Sequence, residues 1–212
     1  MSGLKLKELE IKLEELEKIS APSPALEQYA TPARVVAAIV FDAAMRGDVE
    51  GKRVGDFGCG SGIFAIASVF MGASAVQGYD IDSGSVELAR RNAADILSEE
   101  AMSRVTFQAL DVRDISGSFD TVFQNPPFGA QRRNADIPFI KKAVQSAGAV
   151  YTIHHIAAAD YLRSRIRELG GTIEFEKKFI YEMPRMFAFH TKERRKFELI
   201  LFKVVKIHNQ KE

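Results

Sequence analysis

The sequence predicts a doubly wound α/β domain of seven strands, mostly parallel, with an antiparallel hairpin at one edge. Three observations carry that prediction. Short apolar runs at 52–57, 75–80, 104–109, 119–124 and 148–154 alternate with helical patterns at 62–72, 83–97, 138–146 and 157–169. Two further strand-like runs, 171–181 and 196–207, follow one another with no clear helix between them and so pair antiparallel. A glycine-rich segment, Asp56-Phe57-Gly58-Cys59-Gly60-Ser61-Gly62, lies directly after the first run and opens a helix.

Ahead of the alternation, Leu6, Leu9, Leu13, Leu16 and Ile19 recur at helical spacing with Lys and Glu between them. Residues 4–19 therefore read as an amphipathic helix, ended by Ala21-Pro22-Ser23-Pro24. This divides the chain into an N-terminal extension, 1–20, and one domain, 21–212. Thr31-Pro32 then starts a second helix, with Thr31 as N-cap, running to about Met45 before Gly47. At 212 residues, folding buries roughly 70% of the chain's surface, enough that no metal or disulfide staple is required. With 46% hydrophobic and 27% charged residues, disordered and collagen-like classes are excluded. The longest near-apolar stretch, Gly62 to Val76, is too short to span a bilayer. The single cysteine, Cys59, forbids an internal disulfide and fits a reducing, cytoplasmic setting.

Net charge is +1, but unevenly spread. Residues 21–131 hold 8 basic and 14 acidic side chains, or −6, while 132–184 hold 9 and 6, or +3, and 185–212 hold 8 and 3, or +5. The back third is therefore suited to a polyanionic partner.

The glycine segment allows a tight turn and lets a ligand lie against bare backbone. A dinucleotide fingerprint would place glycine where Ile63 stands. Asp-x-Gly-x-Gly-x-Gly instead resembles the first motif of class I methyltransferases, which bind S-adenosylmethionine (SAM); the resemblance puts Asp56 at the loop's start and Gly58 and Gly60 against the cofactor. About 20 residues on, Asp80 closes the second strand, where a carboxylate can accept both hydroxyls of an adenosine ribose. Asp82 sits closer to the next helix and reads as its N-cap. After the third strand, Asp111 can accept from an adenine amine while Val112 covers the ring.

The fourth strand runs into Asn125-Pro126-Pro127-Phe128. In a doubly wound sheet the first and fourth strands flank the point where strand order reverses, so this turn meets the glycine loop in one crevice. An exocyclic or amide nitrogen is a poor nucleophile because its lone pair is delocalised. The Asn125 side-chain oxygen and the Pro126 carbonyl can accept its N–H groups and favour the pyramidal transition state, with the prolines holding them rigid. Phe128 offers a face on which a planar base stacks.

These motifs together resemble a known family. Asn-Pro-Pro-Phe is similar to the signature of amino methyltransferases acting on adenine N6, guanine N2 or glutamine N5. With Leu26–Pro32, Gly129, Val150–His154 and Pro184–Lys192, the chain resembles the archaeal and eukaryotic methyltransferase-like family that makes N6-methyladenosine in small-subunit ribosomal RNA. The resemblance implies a Rossmann-like class I methyltransferase fold and SAM as cofactor. It implies that Gln28 and Thr31 reach SAM, that Gly58, Ser61 and Ile63 line the loop, and that Asp80, Asp111 and Val112 hold the adenosine. Asn125, Pro126, Pro127 and Phe128 would be catalytic. It also implies RNA as partner and, as in eukaryotic relatives, a small zinc-ribbon activator protein. Guanine N2, glutamine N5 and a non-catalytic assembly role remain open on residues alone. No resident metal is expected: adjacent His154 and His155 point to opposite sides of a strand and cannot share one ion. Arg132, Arg133, Phe187, Phe189, His190, Lys192, Arg194, Arg195 and Lys196 interleave cations and aromatics as an RNA-facing surface would.

Overall fold

The computed structural model describes residues 4–19, 31–127, 135–184 and 194–206. β1 (Arg53–Phe57), β2 (Ala75–Asp80), β3 (Val105–Ala109), β4 (Phe119–Gln124) and β5 (Ala147–His155) run parallel. β6 (Gly171–Pro184) and β7 (Arg194–Lys206) pair antiparallel, and β7 pairs antiparallel with β5. The sheet order is β3-β2-β1-β4-β5-β7-β6. Strand order reverses between β1 and β4, as the alternation predicted, and ligands of such sheets lie at that reversal. Phe57 pairs with Tyr79 on one side and Gln124 on the other, so the glycine loop and Asn125 leave the sheet side by side.

Alternation along the strands sorts the core into two layers. On one face α1 (Leu6–Glu14), α2 (Ala33–Met45), α3 (Ile63–Phe70) and α4 (Ser83–Ile96) bury Leu9, Leu13, Val36, Ile39, Phe64, Ile66 and Val86 against Val76, Phe123, Tyr151 and Leu201. On the other, α6 (Ile137–Ser146) and α7 (Ala159–Glu168) bury Ile140, Val144, Leu162 and Ile166 against Phe57, Val122, Val150, Ile200 and Phe202. Neighbours in sequence, such as Val122 and Phe123, thus serve opposite layers.

Three local readings change. The first helix stops at Glu14 instead of continuing to 19, because the backbone of Glu17 bonds to the Asn92 side chain instead. The second begins at Ala33 with Pro32 in the N-cap position, and Thr31 does not cap it because its hydroxyl is engaged elsewhere. A short α5 (Glu99–Met102), capped by the Ser98 hydroxyl accepting from the Ala101 N–H at 3.3 Å, is too brief to show a period in sequence. Among the described residues no helix is long and apolar enough to cross a membrane.

Candidate active site at the carboxyl ends of the central strands

The loop after β1 holds its shape through backbone geometry and one buried carboxylate. Gly58, Gly60 and Gly62 all adopt positive φ, at +73°, +51° and +82°. A Cβ on Gly62 would stand 3.0 Å from the Ala89 Cβ and 3.2 Å from the Phe107 ring, so side chains are excluded there by packing as well as by φ. Gly58 and Cys59 donate their N–H groups to the Tyr79 carbonyl at 2.8 and 2.9 Å, stitching the loop to β2. With Gly62 at its N-cap, α3 lacks a side-chain cap. Asp56 supplies one from the strand: its Oδ2 accepts from the Ala65 N–H at 3.0 Å, in the first turn, where the helix dipole favours an anion. Burial pushes the Asp56 carboxyl up to about 7, opposed by the Ala65 bond and reinforced by nearby Asp80. Its second oxygen, Oδ1, is buried and has no hydrogen-bond partner among the described residues. Cys59 is buried in the loop with its thiol pushed well up by desolvation, which suits a packed filler and not a nucleophile.

Asp80 ends β2 with both oxygens turned toward the crevice loops. Oδ2 accepts from the Gly60 N–H at 2.9 Å and Oδ1 from the Asp82 N–H at 3.0 Å. Desolvation raises its pKa, the two backbone bonds oppose this, and neighbouring Asp82 adds to the rise. Each carboxylate oxygen retains a second lone pair for a ligand hydroxyl. Asp82 is the N-cap of α4, accepting from Gly84 and Ser85, as the sequence predicted. Between them Ile81 is 61% exposed, an apolar side chain left at the rim. The Leu110 N–H donates to the Asp80 carbonyl at 2.8 Å, which brings the following Asp111 and Val112 to the same end of the sheet. Val112 is buried, and the Asp111 carboxylate is gripped by Arg113 through Nε at 2.9 Å and Nη2 at 2.5 Å.

Asn125 leaves β4 beside the loop. Its Nδ2 donates to the Thr31 hydroxyl at 2.8 Å, so its Oδ1 faces away from Thr31. That oxygen is buried and has no hydrogen-bond partner among the described residues. An acceptor left unsatisfied in a buried position costs about 1–3 kcal/mol, which is tolerated where a ligand donor completes it. On the opposite face of β4, Gln124 donates to the Thr152 hydroxyl at 3.0 Å, and Thr152 lies 2.7 Å from Nε2 of His154. Nδ1 of His154 stands 3.6 Å from the carboxylate of Asp136, just ahead of α6. Burial depresses the His154 pKa to about 3, so its ring is neutral. His155 is half-buried and accepts from the Ala157 N–H, which caps the next turn.

Asp56, Gly58, Gly60, Ser61, Ile63, Asp80, Asp111, Val112, Asn125, Pro126 and Pro127 lie at or just past the carboxyl ends of β1 to β4, and Thr31 meets Asn125 there. Gln28, Phe128, Arg132, Arg133, Phe187, Phe189, His190 and Lys192 lie outside the described residues. Two contacts were not legible in the sequence: Asn92 donates to the Ser61 carbonyl, and the Thr31 hydroxyl accepts from Asn125. Asn92 had a signal: it is a polar residue on the buried stripe of α4 that also contains Ser85, Leu88 and Ala89. The orphaned Asp56 Oδ1, the bare glycine backbone and the paired oxygens of Asp80 fit the donors of an amino-acid nucleoside such as SAM.

This fold and crevice define a class I, SAM-dependent methyltransferase. Residues 37–125 match the family model of ribosomal protein L11 methyltransferase (PrmA). Over 96% of its length the chain is 32% identical to an uncharacterized protein of Methanocaldococcus jannaschii, covering 95% of that protein. It is 31% identical to the rRNA N(6)-adenosine-methyltransferase Mettl5 of Drosophila melanogaster, covering 94% of this chain and 95% of that one. The crystal structure of a candidate RNA methyltransferase from Pyrococcus horikoshii superposes with a TM-score of 0.87 at 29% identity, over 97% of this chain and 99% of that one. The chain belongs to the Mettl5-like family of rRNA N6-adenosine methyltransferases.

Proposed function

We propose that this chain transfers a methyl group from SAM to the exocyclic N6 amine of an adenosine in structured RNA, with small-subunit ribosomal RNA as the substrate. The observation that carries the reading is the Asn125 oxygen: buried, unpartnered among the described residues, and oriented by Thr31. Family membership with an rRNA N(6)-adenosine-methyltransferase supports the choice of acceptor.

When bound, SAM supplies a methyl on a sulfonium, whose departure leaves neutral S-adenosylhomocysteine (SAH). The backbone of Gly58–Gly62 and the Asp56 Oδ1 would take its amino-acid end, Asp80 the ribose, and Asp111 and Val112 the adenine. Gln28 and Thr31 join this set by family resemblance. At the acceptor, Asn125 Oδ1 and the Pro126 carbonyl receive the two N–H groups of the target amine. Their attraction grows as the nitrogen gains positive charge, so they stabilise the transition state more than the ground state. Proline at 126 and 127 fixes those acceptors, and holding nitrogen in line with the methyl supplies much of the rate. No group need remove a proton beforehand, because the methylated ammonium is strongly acidic and loses its proton afterwards. Phe128 would stack on the target base.

Incubating the chain with SAM and unmodified small-subunit RNA, with and without a zinc-ribbon activator, then digesting to nucleosides, identifies the product. N6-methyladenosine is expected. N2-methylguanosine would overturn the acceptor, and no methylated nucleoside under either condition would favour a non-catalytic assembly role.

A further inference from the structure

The N-terminal extension and the glycine loop share one buried side chain. Asn92, on the inner stripe of α4, is 2% exposed. Its Oδ1 accepts from the Glu17 N–H at 2.8 Å, and its Nδ2 donates to the Glu17 carbonyl at 3.0 Å and to the Ser61 carbonyl at 2.9 Å. The amide thus grips both backbone groups of one residue, as a neighbouring strand would, and spends its second hydrogen on the loop. Only a side-chain amide offers one acceptor and two donors in this geometry; a carboxylate lacks both donors. Two residues further on, the Ile19 Cδ1 lies 3.9 Å from where a Cβ on Gly60 would stand. The end of the extension therefore covers the loop at a second, independent point. Upstream, Leu9, Leu13 and Leu16 are buried in the core that also holds Phe64 and Ile66 of α3, so the extension is anchored before it reaches the loop. The nearby Arg91–Glu17 pair, 3.9 Å apart and more than half exposed on both sides, adds little.

We propose that Asn92 is a positioning residue for the cofactor: by fastening Glu17–Ile19 to Ser61 it makes the N-terminal extension a wall of the SAM pocket. The inference rests on the reading of the glycine loop as the SAM site. Without the amide, Glu17–Ile19 is released and the Ser61 carbonyl loses its restraint. Only the fraction of molecules with the wall docked then binds, and apparent affinity falls by that fraction. Asn125, held from Thr31, is not part of this bracket.

Two readouts on the full chain test it: SAH affinity by calorimetry, and hydrogen exchange of the amides of residues 15–19 with and without SAH. Wild type binds SAH and slows exchange at 15–19 on binding. Asn92→Ala raises the SAH Kd by about tenfold, loses the SAH-dependent slowing, and raises KM for SAM by a larger factor than it lowers kcat. Asn92→Asp, with the same shape but no donors, behaves likewise. Ile19→Ala, at a half-buried site outside the buried core, weakens SAH by about threefold, and decides the matter should the Asn92 variants fail to fold. Wild-type SAH affinity in the folded Asn92 variants, or in Ile19→Ala, would overturn the proposal. Failure of the wild-type chain to bind SAM or SAH at all would instead overturn the cofactor reading beneath it.

Discussion

Thr31 and Asn125 stand 94 residues apart in sequence and meet through one hydrogen bond that sets the direction of the amide. Thr31→Val keeps the shape and removes the acceptor, so the amide is no longer held with its oxygen toward the crevice. We expect kcat to fall by about tenfold with a smaller change in KM for SAM, and Thr31→Ser to restore it; a change confined to KM would place Thr31 on the cofactor alone. The Asp82 N-cap and the place of Asp80 at the end of β2 were readable because a carboxylate ending a strand and one preceding a helix have distinct uses. Thr31 was not, since Thr-Pro suits an N-cap equally well and only the fold reveals the competing partner. Asp111 was half readable: its place at the strand end holds, but its bidentate clasp by Arg113 depends on a tight turn that leaves no sequence period. His154 makes a prediction about pH. Its folded pKa, about 3, lies below the usual value of 6.5, because burial disfavours the charged ring. The unfolded chain therefore binds the extra proton first, and stability present above about pH 6.5 is lost as pH falls toward 3. Urea unfolding between pH 4 and 7 should show a shallower acid-side loss in His154→Asn than in wild type; equal slopes would contradict a neutral buried ring.

At the scale of elements, the alternation of period and composition located all seven strands and the helices α2, α3, α4, α6 and α7 to within a few residues. Boundaries moved where a tertiary partner intervened, as at Glu17, or where a single hydroxyl capped a short turn, as at Ser98. β6 and β7 run longer than their apolar runs because antiparallel pairing continues through polar residues to Pro184 and Arg194. α1, set apart in the sequence as an N-terminal extension, packs on its own domain: Leu13 is 2% exposed and lies in the main core. Leu13→Ala should cost about 2–5 kcal/mol by chemical denaturation. A loss below 0.5 kcal/mol would mean that the extension is not an integral layer of the domain (a surface change lies within about that range).

Across the whole molecule, the charge changes sign after residue 131, and the proposed RNA substrate would meet the basic portion. The acidic portion, 21–131, carries the glycine loop, Asp80 and Asp111, whereas β6, β7 and α7 belong to the basic portion. Part of that basic charge is spent internally: Arg163 spans Asp160 and Glu176, Arg165 pairs with Glu168, and Lys203 is buried between Asp48 and Glu174. Sequence arithmetic cannot separate such cations from those on open surface such as Lys177 and Lys178 of β6. RNA affinity should still fall as salt rises, linearly in logarithmic terms, as phosphate contacts release counterions; a flat salt response would remove the link between charge and substrate. We propose that Asn125 Oδ1, unpartnered among the described residues, stabilises the amine as it is methylated. The most direct test is Asn125→Ala, measured for turnover on RNA and for SAM affinity in parallel. Turnover should fall on the order of 100- to 1,000-fold with SAM affinity nearly unchanged; loss of SAM binding together with turnover, or turnover close to wild type, would contradict it.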